Sequence, residues 1–241
     1  MKNVEAIRKL ILQKYLINDF VIDNDGGKLV ELVGESFIAD EDTIFGSVNF
    51  KYIQKELDWY ESMSLNVYDM ADPPQIWKMI ADKQGYINSN YGWSIFSEEN
   101  HYQYQSVLST LKNDKSSRRG SMIYTRPSMQ SDYNKNGMSD FMCTNAANYF
   151  IRNNRLSCVV QMRSNDVWAG YRNDSAWHKY VLNKLLEDLR KTYEDLELGD
   201  VIWNSASLHV YEKNFYLLEH YHKTGDVWIT KKQFKEMHKN A

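Results

Sequence analysis

The chain has 241 residues, of which 43% are hydrophobic and 25% are charged, and its formal net charge is −3. This composition is typical of an ordered globular protein and excludes a disordered chain. Because no block of like charge occurs, a broad basic surface for nucleic acid is not expected, although a small pocket for one phosphate fits. We expect a single domain over residues 1–241, since no repeat, linker or shift in composition divides the chain.

The N-terminal segment and the small number of cysteines indicate where in the cell the protein acts. Residues 1–20 are amphipathic and carry charges throughout, so they fit neither a signal peptide nor a membrane span. The two cysteines, Cys143 and Cys158, are too few for a disulfide framework, and no Cys-x-x-Cys metal spacing is present. We therefore expect a cytoplasmic protein that uses no metal, no membrane and no nucleic acid.

In the first half of the chain, helical spacing of apolar residues alternates with turn signals. The pattern predicts, in chain order, a helix over 4–16, a turn at 24–27, a strand over 28–33, a helix over 50–63, a short helix after Pro73 and Pro74, an aromatic loop over 84–94 and a helix over 97–112.

The second half begins with a polar loop at 117–119 and is richer in strands. The pattern predicts strands over 121–125, 140–151 and 155–163, a long helix over 176–194, a strand over 206–211 and a final helix. Because helices and strands are interleaved and several neighbouring strands read as antiparallel, we expect a mixed sheet in an α/β or α+β layout.

A hairpin is predicted at Asn153–Asn154, because asparagine tolerates the positive φ that two-residue turns require. In that register, the numbers of paired residues sum to 307, which places Cys143 opposite Ser164 with Arg163 one step away. A nearby cation lowers the pKa of a thiol, and the thiolate is the nucleophile. The pattern therefore makes Cys143 a candidate nucleophile, although without further context a small buried strand residue is the more common interpretation of such a cysteine.

Each candidate also has a simpler interpretation. A lone cysteine in a strand is usually a small buried residue, which suits Cys158 better because apolar residues surround it. Glu56 shares a helical stripe with Tyr52 and Tyr60, and an apolar environment raises the pKa of a carboxyl group towards neutrality; a glutamate at a stripe edge is nevertheless more often solvated. Asp174 fits a cap for a helix beginning near residue 175.

Several longer motifs follow one another in a recognisable order. They are ELDWY at 56–60, GYINSNYGW at 85–93, SRRG at 117–120, DFMCTN at 140–145, MRSNDVWAGYRND at 162–174 and SLHVY at 207–211. Together they resemble the thymidylate synthase family over nearly the whole chain. Within that family they are most similar to the deoxycytidylate (dCMP) hydroxymethylases of bacteriophages.

The resemblance implies a thymidylate synthase-like α/β (α+β) fold, a mixed sheet with surrounding helices, and a homodimer whose sheets pack back to back. It also implies roles for particular residues, which are listed here by function: Cys143 as nucleophile, Glu56 in proton and water handling, Arg163 and Ser164 at the phosphate, Arg118 and Arg119 at the phosphate of the partner subunit's nucleotide, His209 and Tyr211 at the deoxyribose 3′-hydroxyl, Tyr91 in the active-site wall, Asn165 at the nucleotide, and Asp166, Trp77 and Gly170 at the folate.

Asp174 stands where thymidylate synthase has asparagine. An asparagine amide suits O4 and N3–H of uracil, whereas a carboxyl group can accept from the amino group of cytosine and share a proton with ring N3. The resemblance therefore implies a phage enzyme, acting in the infected bacterium, that transfers a hydroxymethyl group from 5,10-methylenetetrahydrofolate and water to C5 of dCMP.

Some residues depart from the synthase pattern. Thr144 replaces the histidine after the nucleophile, Met162 replaces the glutamine before the phosphate arginine, and no phosphate-loop arginine is evident over residues 39–46. The C-terminal segment, 231–241, lacks the apolar closing tail, and a looser lid would admit water. Alternatives within the family are a thymidylate synthase or a dUMP or CMP hydroxymethylase. From another class, an inactive nucleotide-binding subunit is the alternative.

Overall fold

Helices and a mixed β-sheet make up the fold. The structure is a computed structural model that describes residues 1–238, and the chain forms two compact units. The first unit comprises Met1–Val48, Arg163–Ala176 and the chain from Ile202 onwards; the second comprises Asn49–Met162 and Trp177–Val201. The single domain expected over residues 1–241 stays a prediction.

The described residues contain nine α-helices and eight strands. The helices are α1 (Val4–Leu16), α2 (Phe50–Glu61), α3 (Gln75–Ile80), α4 (Tyr91–Phe96), α5 (Gln103–Asn113), α6 (Met129–Asp132), α7 (Gly170–Arg190), α8 (Phe215–Thr224) and α9 (Lys231–Met237). The strands are β1 (Lys2–Asn3), β2 (Val21–Ile22), β3 (Lys28–Ile38), β4 (Ser121–Ile123), β5 (Thr144–Arg152), β6 (Arg155–Met162), β7 (Asn165–Asp166) and β8 (Glu197–Tyr211).

Helix α1 forms where its sequence predicts it. The side chain of Asn3 caps its first turn by accepting a hydrogen bond from the backbone N–H of Ala6 at 3.0 Å. Val4, Ile7 and Ile11 are fully buried at helical spacing. The predicted helix over 4–16 and the turn at 24–27 are therefore confirmed.

Strands β3 and β8 form the sheet of the first unit. They pair antiparallel from Leu29↔Tyr211 to Ile38↔Ile202. Strand β1 runs parallel to β3, and β7 runs parallel to β8, so that Asp166 lies opposite His209. The strand order is β1-β3-β8 in the first unit; in the second unit it is β8-β6-β5-β4, where β8 contributes only its first residues. Both parallel and antiparallel pairs occur, which confirms the predicted mixed sheet.

The hairpin of β5 and β6 belongs to the second unit. Asn153 and Asn154 have φ values of 49° and 58°, as a tight two-residue turn with positive φ at both central positions requires. The pairs from Arg152↔Arg155 to Ala146↔Gln161 sum to 307, which confirms the predicted turn and its register. The first residues of β8 lie in this unit, where the backbone N–H of Glu197 donates to Asn154 O at 3.0 Å.

Two boundaries in the second unit differ from the sequence prediction. The aromatic loop expected over 84–94 ends in a helix, α4, because the side chain of Asn90 accepts from the backbone N–H of Trp93 at 2.8 Å and caps it. The helix expected from residue 97 begins only at Gln103, since His101 and Tyr102 adopt φ values of 61° and 47° that end any continuous helix there.

The long helix α7 begins six residues earlier than predicted. The carboxylate of Asp166 accepts hydrogen bonds from the backbone N–H groups of Ala169 at 2.8 Å and Gly170 at 3.4 Å. These bonds satisfy donors that a helix start leaves unpaired. Asp174 is therefore a residue of the helix, and the alternative role as a cap near residue 175 is wrong.

The last third of the chain also differs in length. Strand β8 has fifteen residues, whereas six were predicted. The expected single final helix is two helices, α8 and α9, between which Gly225 has a positive φ of 80°. Residues 239–241 of the C-terminal segment lie outside the described residues.

Candidate active site

Cys143 immediately precedes β5. A bulge between Thr144 and Ala146 shifts the register by one residue, so that Thr144 pairs with Met162. The predicted pair Cys143–Ser164 is therefore wrong, because it assumed a ladder without a bulge. Cys143 is half-buried, with its Sγ atom 4.0 Å from Phe141 O.

The second cysteine lies in the core of the second unit. Cys158 is fully buried, and this burial raises the pKa of its thiol to about 12. A thiol that stays protonated is a poor nucleophile. The interpretation of Cys158 as a structural residue is consistent with this environment.

Asp140 holds the segment that leads to Cys143. Its buried carboxylate accepts from the backbone N–H groups of Asn88 at 2.7 Å and Ser89 at 2.8 Å, and from the Ser89 hydroxyl at 2.6 Å. A buried carboxylate requires such donors. The segment therefore pairs with the loop before α4 rather than with the sheet, which explains why β5 begins at Thr144 and not at residue 140.

The two departures from the synthase pattern in the second unit contact each other. The Thr144 hydroxyl lies 3.2 Å from Met162 Sδ and 3.4 Å from Nε2 of His178. All three side chains are buried, and burial lowers the pKa of His178 to about 3. The neutral imidazole of His178 thus contacts Thr144, the residue that follows Cys143.

Glu56 lies on α2 and is only 5% exposed. The Tyr52 hydroxyl, one turn earlier, donates to Glu56 Oε1. The indole N–H of Trp77 is 2.9 Å from the Tyr52 hydroxyl and 3.3 Å from Glu56 Oε1. The predicted shared stripe of Tyr52 and Glu56 is confirmed, and the simpler interpretation of Glu56 as a solvated residue is wrong.

Tyr91, expected in the active-site wall, belongs to an aromatic cluster of the second unit. Its ring stacks on Tyr60 with centroids 5.2 Å apart and meets Tyr124 edge to face at 5.3 Å. Gly92 beside it has no room for a side chain, because an added Cβ would lie 1.7 Å from Tyr60 O. This contact fixes α4 against α2 and so orients Tyr91.

In the first unit, Asn165 and Asp174 form a direct pair. The side-chain amide of Asn165 donates to Asp174 Oδ2 at 2.7 Å. Gly170 lies one helical turn before Asp174, and a Cβ there would be 3.2 Å from Asn165 Nδ2. The sequence predicted all three residues, and the structure brings them together.

Two further oxygen atoms near this pair are buried acceptors. Asn165 Oδ1 and Asp166 Oδ1 have no hydrogen-bond partner within residues 1–238. Buried polar atoms are normally paired, so these two atoms are suited to donors of a bound molecule. Asp166 thereby combines a structural oxygen, Oδ2, with one available for a ligand.

His209 and Tyr211 lie on the same face of β8, with ring centroids 4.9 Å apart. Burial lowers the pKa of His209, while the charges of Asp166 and Glu31 act in the opposite direction. The Ser207 hydroxyl lies 3.1 Å from His209 Nδ1 and donates to the Glu31 carboxylate. Sequence reasoning singled out neither Ser207 nor Glu31.

The arginine pair lies in the loop before β4. Arg118 and Arg119 are exposed and line a shallow pocket of the second unit together with Arg152, Asp114, Ser116 and Ser117. Sequence reasoning missed Arg152 because only the hairpin brings it to this loop. Three guanidinium groups around one pocket fit an anion. Arg163 and Ser164, in the first unit, directly follow β6 and are half-buried.

Within residues 1–238, no cluster of three or more histidine, cysteine, aspartate or glutamate side chains suits a metal ion. None of the described helices is both long and apolar enough to cross a membrane.

The thymidylate synthase family model matches residues 45–237, and the chain belongs to this family. That match covers the predicted nucleophile, the arginine pair and both ends of the Asn165–Asp174 pair. The family resemblance and the fold class expected from the motifs are confirmed.

Comparisons with individual proteins refine this result. The chain is 53% identical over 235 residues to the deoxycytidylate 5-hydroxymethyltransferase of Enterobacteria phage T6, with 96% of each chain covered. It is 26% identical over 178 residues to the thymidylate synthase of Francisella philomiragia, which covers 69% of this chain and 63% of that one. Thermostable thymidylate synthase A of Bacillus subtilis has the same fold, with a TM-score of 0.68 at 21% identity over 92% of this chain and 84% of that one.

Proposed function

We propose that the chain transfers a hydroxymethyl group to C5 of dCMP. The one-carbon donor would be 5,10-methylenetetrahydrofolate, and a bound water molecule would supply the hydroxyl group. The products would be 5-hydroxymethyl-dCMP and tetrahydrofolate. The reaction would take place in the cytoplasm of a phage-infected bacterium. The similarity to the phage T6 enzyme over almost the whole of both chains supports it.

The observation that carries the choice of base is the Asp174 carboxyl group. Its Oδ2 accepts the Asn165 amide, which holds the carboxyl plane in one orientation. A carboxyl group can accept from the exocyclic amino group of cytosine and share a proton with N3, whereas uracil presents O4 and N3–H. Asp174 therefore favours dCMP over dUMP.

The proposed chemistry begins at the thiolate of Cys143, which adds to C6 of the cytosine ring and makes C5 nucleophilic. C5 attacks the one-carbon unit, and loss of the C5 proton and of tetrahydrofolate leaves an exocyclic methylene. Water adds to this methylene, and the bond between C6 and sulfur breaks. A proton shared at N3 through Asp174 stabilises the negative charge that develops on the ring.

Glu56 is suited to act as a base towards the water molecule. The indole N–H of Trp77 donates to the Tyr52 hydroxyl oxygen, which therefore acts as an acceptor on that side. The single proton of the Tyr52 hydroxyl is donated to Glu56 Oε1. This hydrogen bond holds the Glu56 carboxyl group in one orientation. In its ionised form, an oriented carboxylate can accept a proton from water.

The phosphate site of the proposal combines Arg163 and Ser164 with Arg118 and Arg119 of a partner subunit in a homodimer. The exposed pocket around Arg118, Arg119 and Arg152 supports an anion site on this loop. The unpaired buried atom Asp166 Oδ1 suits the N–H groups of a pterin ring, with Gly170 and Trp77 as the other folate contacts.

One assay tests the proposal. Purified protein is incubated with 5,10-methylenetetrahydrofolate and, in parallel, dCMP, CMP or dUMP, and the products are identified by mass spectrometry. We expect a hydroxymethyl product from dCMP and little from dUMP. A methyl product would show a thymidylate synthase-type reaction instead, and no product from any nucleotide would favour an inactive nucleotide-binding subunit.

A further inference from the structure

Three polar side chains form a chain of hydrogen bonds across strands β3 and β8 of the first unit. Glu31 on β3 pairs directly with His209 on β8, and Ser207 is two residues from His209 on the same face. The Ser207 hydroxyl donates to Glu31 Oε1 and lies 3.1 Å from His209 Nδ1.

Chemistry fixes the direction of this chain. An ionised carboxylate can only accept, so the one proton of the Ser207 hydroxyl is used on Glu31. The Ser207 oxygen is then left as an acceptor towards His209 Nδ1, which must carry the proton. A neutral imidazole with its proton on Nδ1 has Nε2 as an acceptor.

The surroundings of His209 keep the ring neutral. The side chain is buried, and burial lowers its pKa; the charges of Asp166 and Glu31 and a hydrogen bond to the backbone of Ser207 oppose this effect. A neutral ring has one donor and one acceptor nitrogen, so the assignment of Nδ1 decides the character of Nε2. An acceptor at Nε2 is matched to a donor such as a hydroxyl group.

We infer that Glu31 and Ser207 are positioning residues that hold His209 in the tautomer whose Nε2 accepts a hydrogen bond from a sugar hydroxyl of the bound nucleotide. This inference rests on the proposed function and extends it from the base to the sugar. Because His209 and Tyr211 are the residues expected at the deoxyribose 3′-hydroxyl, binding of the nucleotide would then depend on a hydroxyl donor at its 3′ position. Glu31 and Ser207 themselves need not touch the nucleotide.

A binding cycle tests the inference. The dissociation constants of dCMP and of 2′,3′-dideoxy-CMP, which lacks the 3′-hydroxyl, are measured by calorimetry for the unmodified protein and for Ser207→Ala. One hydrogen bond of about 1 kcal/mol corresponds to about fivefold in affinity. We expect the unmodified protein to prefer dCMP about 5–10-fold, and Ser207→Ala to reduce this ratio to about twofold or less. An unchanged ratio in Ser207→Ala would overturn the inference.

Two further variants separate positioning from folding. Ser207→Thr keeps the hydroxyl and should keep the ratio. Ser205→Ala removes a buried serine hydroxyl from the same strand, one that donates to Ser207 O at 2.8 Å rather than to the His209 ring; it should also keep the ratio. If Ser205→Ala reduced the ratio as much as Ser207→Ala, a general effect on β8 would explain the result and the inference would be wrong.

The tautomer itself can be observed without a ligand. In protein labelled with ¹⁵N-histidine, NMR should show the proton of His209 on Nδ1, and Ser207→Ala should move it towards Nε2. A proton on Nε2 in the unmodified protein would contradict the inference. If dCMP failed to bind at all, the proposed function would be wrong, whereas this spectrum would still decide the tautomer.

Discussion

The two units hold their candidate site residues in different ways. In the first unit, polar side chains orient one another by direct hydrogen bonds, as Asn165 does for Asp174 and Ser207 for His209. In the second unit, Cys143 follows a segment anchored by a buried carboxylate, and Glu56 is enclosed by a phenol and an indole. The first arrangement suits recognition, because it sets the direction of single hydrogen bonds; the second suits chemistry, because it controls environment.

This contrast predicts that substitutions in the second unit change the rate and substitutions in the first change the choice of ligand. The largest effect is expected for Cys143→Ser. Because covalent attack at C6 needs the thiolate, turnover of dCMP should fall at least about 10⁴-fold, while the dissociation constant for dCMP changes less than about threefold.

Cys158→Ala is the control for Cys143→Ser, since it removes the other thiol from the same unit and should retain turnover. Stopped assays and calorimetry on the two variants provide the measurement. Residual activity of Cys143→Ser above about 1% would remove Cys143 from the role of nucleophile.

Asp174→Asn should change selectivity. We expect turnover of dCMP to fall on the order of 10³-fold, because an amide cannot share a proton with N3 of cytosine, and turnover of dUMP to appear. The ratio of kcat/KM for the two nucleotides is the measurement. A dCMP preference that survives the substitution would show that another group reads the base.

Tyr52→Phe tests whether the surroundings of Glu56 in the second unit control the reaction rate. The substitution removes the Tyr52 hydroxyl as a donor to Glu56 Oε1, so the carboxyl group is held less firmly, and kcat should fall about 10–100-fold with little change in KM for dCMP. Tyr15→Phe is a matched control, since it removes a phenol that donates to Glu219 in the first unit at 3.0 Å. Equal losses of kcat in both variants would argue against a specific role of Tyr52.

Gly170→Ala tests whether the position of the Asn165–Asp174 pair matters, because it adds one methyl group and changes no charge or hydrogen-bonding group. The added Cβ would lie 3.2 Å from Asn165 Nδ2 and would displace the partner of Asp174. Crowding of about 1 kcal/mol corresponds to a rise of about fivefold in KM for dCMP. The midpoint of thermal unfolding should change little, because the better helix propensity of alanine offsets the crowding. An unchanged KM would mean that the Asn165–Asp174 pair tolerates displacement.

His178→Gln should affect stability rather than ligand choice. Burial lowers the pKa of His178 to about 3 from an ordinary value of 6.5, so between these values the unfolded chain binds a proton that the folded chain does not. The free energy of unfolding therefore falls as the pH falls from 6.5 towards 3, by up to about 1.4 kcal/mol per pH unit. Urea unfolding at pH 7, 6 and 5 should show a smaller pH dependence in His178→Gln; identical slopes would contradict this assignment.

Local signals in the sequence predicted part of the fold. The Asn153–Asn154 turn and the stripe of α1 depend on neighbouring residues, and both were predicted correctly. The start of α7 was not, because its N-terminus is fixed by the side chain of Asp166 from outside the helix. The bulge after Thr144 was likewise missed, since a bulge is set by pairing with another strand.

The candidate site shows the same division. Residue types and family motifs predict Cys143, Glu56 and Asp174 as site residues, because the chemistry of these side chains follows from residue type alone. The residues that orient the site, including Ser207, Glu31 and Asp140, are common polar types whose importance depends on the direction of a side chain. Their roles became apparent only with the contacts in hand.

The contrast between the two cysteines has a practical consequence. Cys158 is sealed in the core with a protonated thiol, whereas Cys143 is partly open to solvent. A maleimide or iodoacetamide reagent should therefore label one site per folded chain without any engineering. The stoichiometry of labelling would then count folded chains with an accessible Cys143, and protection by a nucleotide would show that the ligand covers this residue.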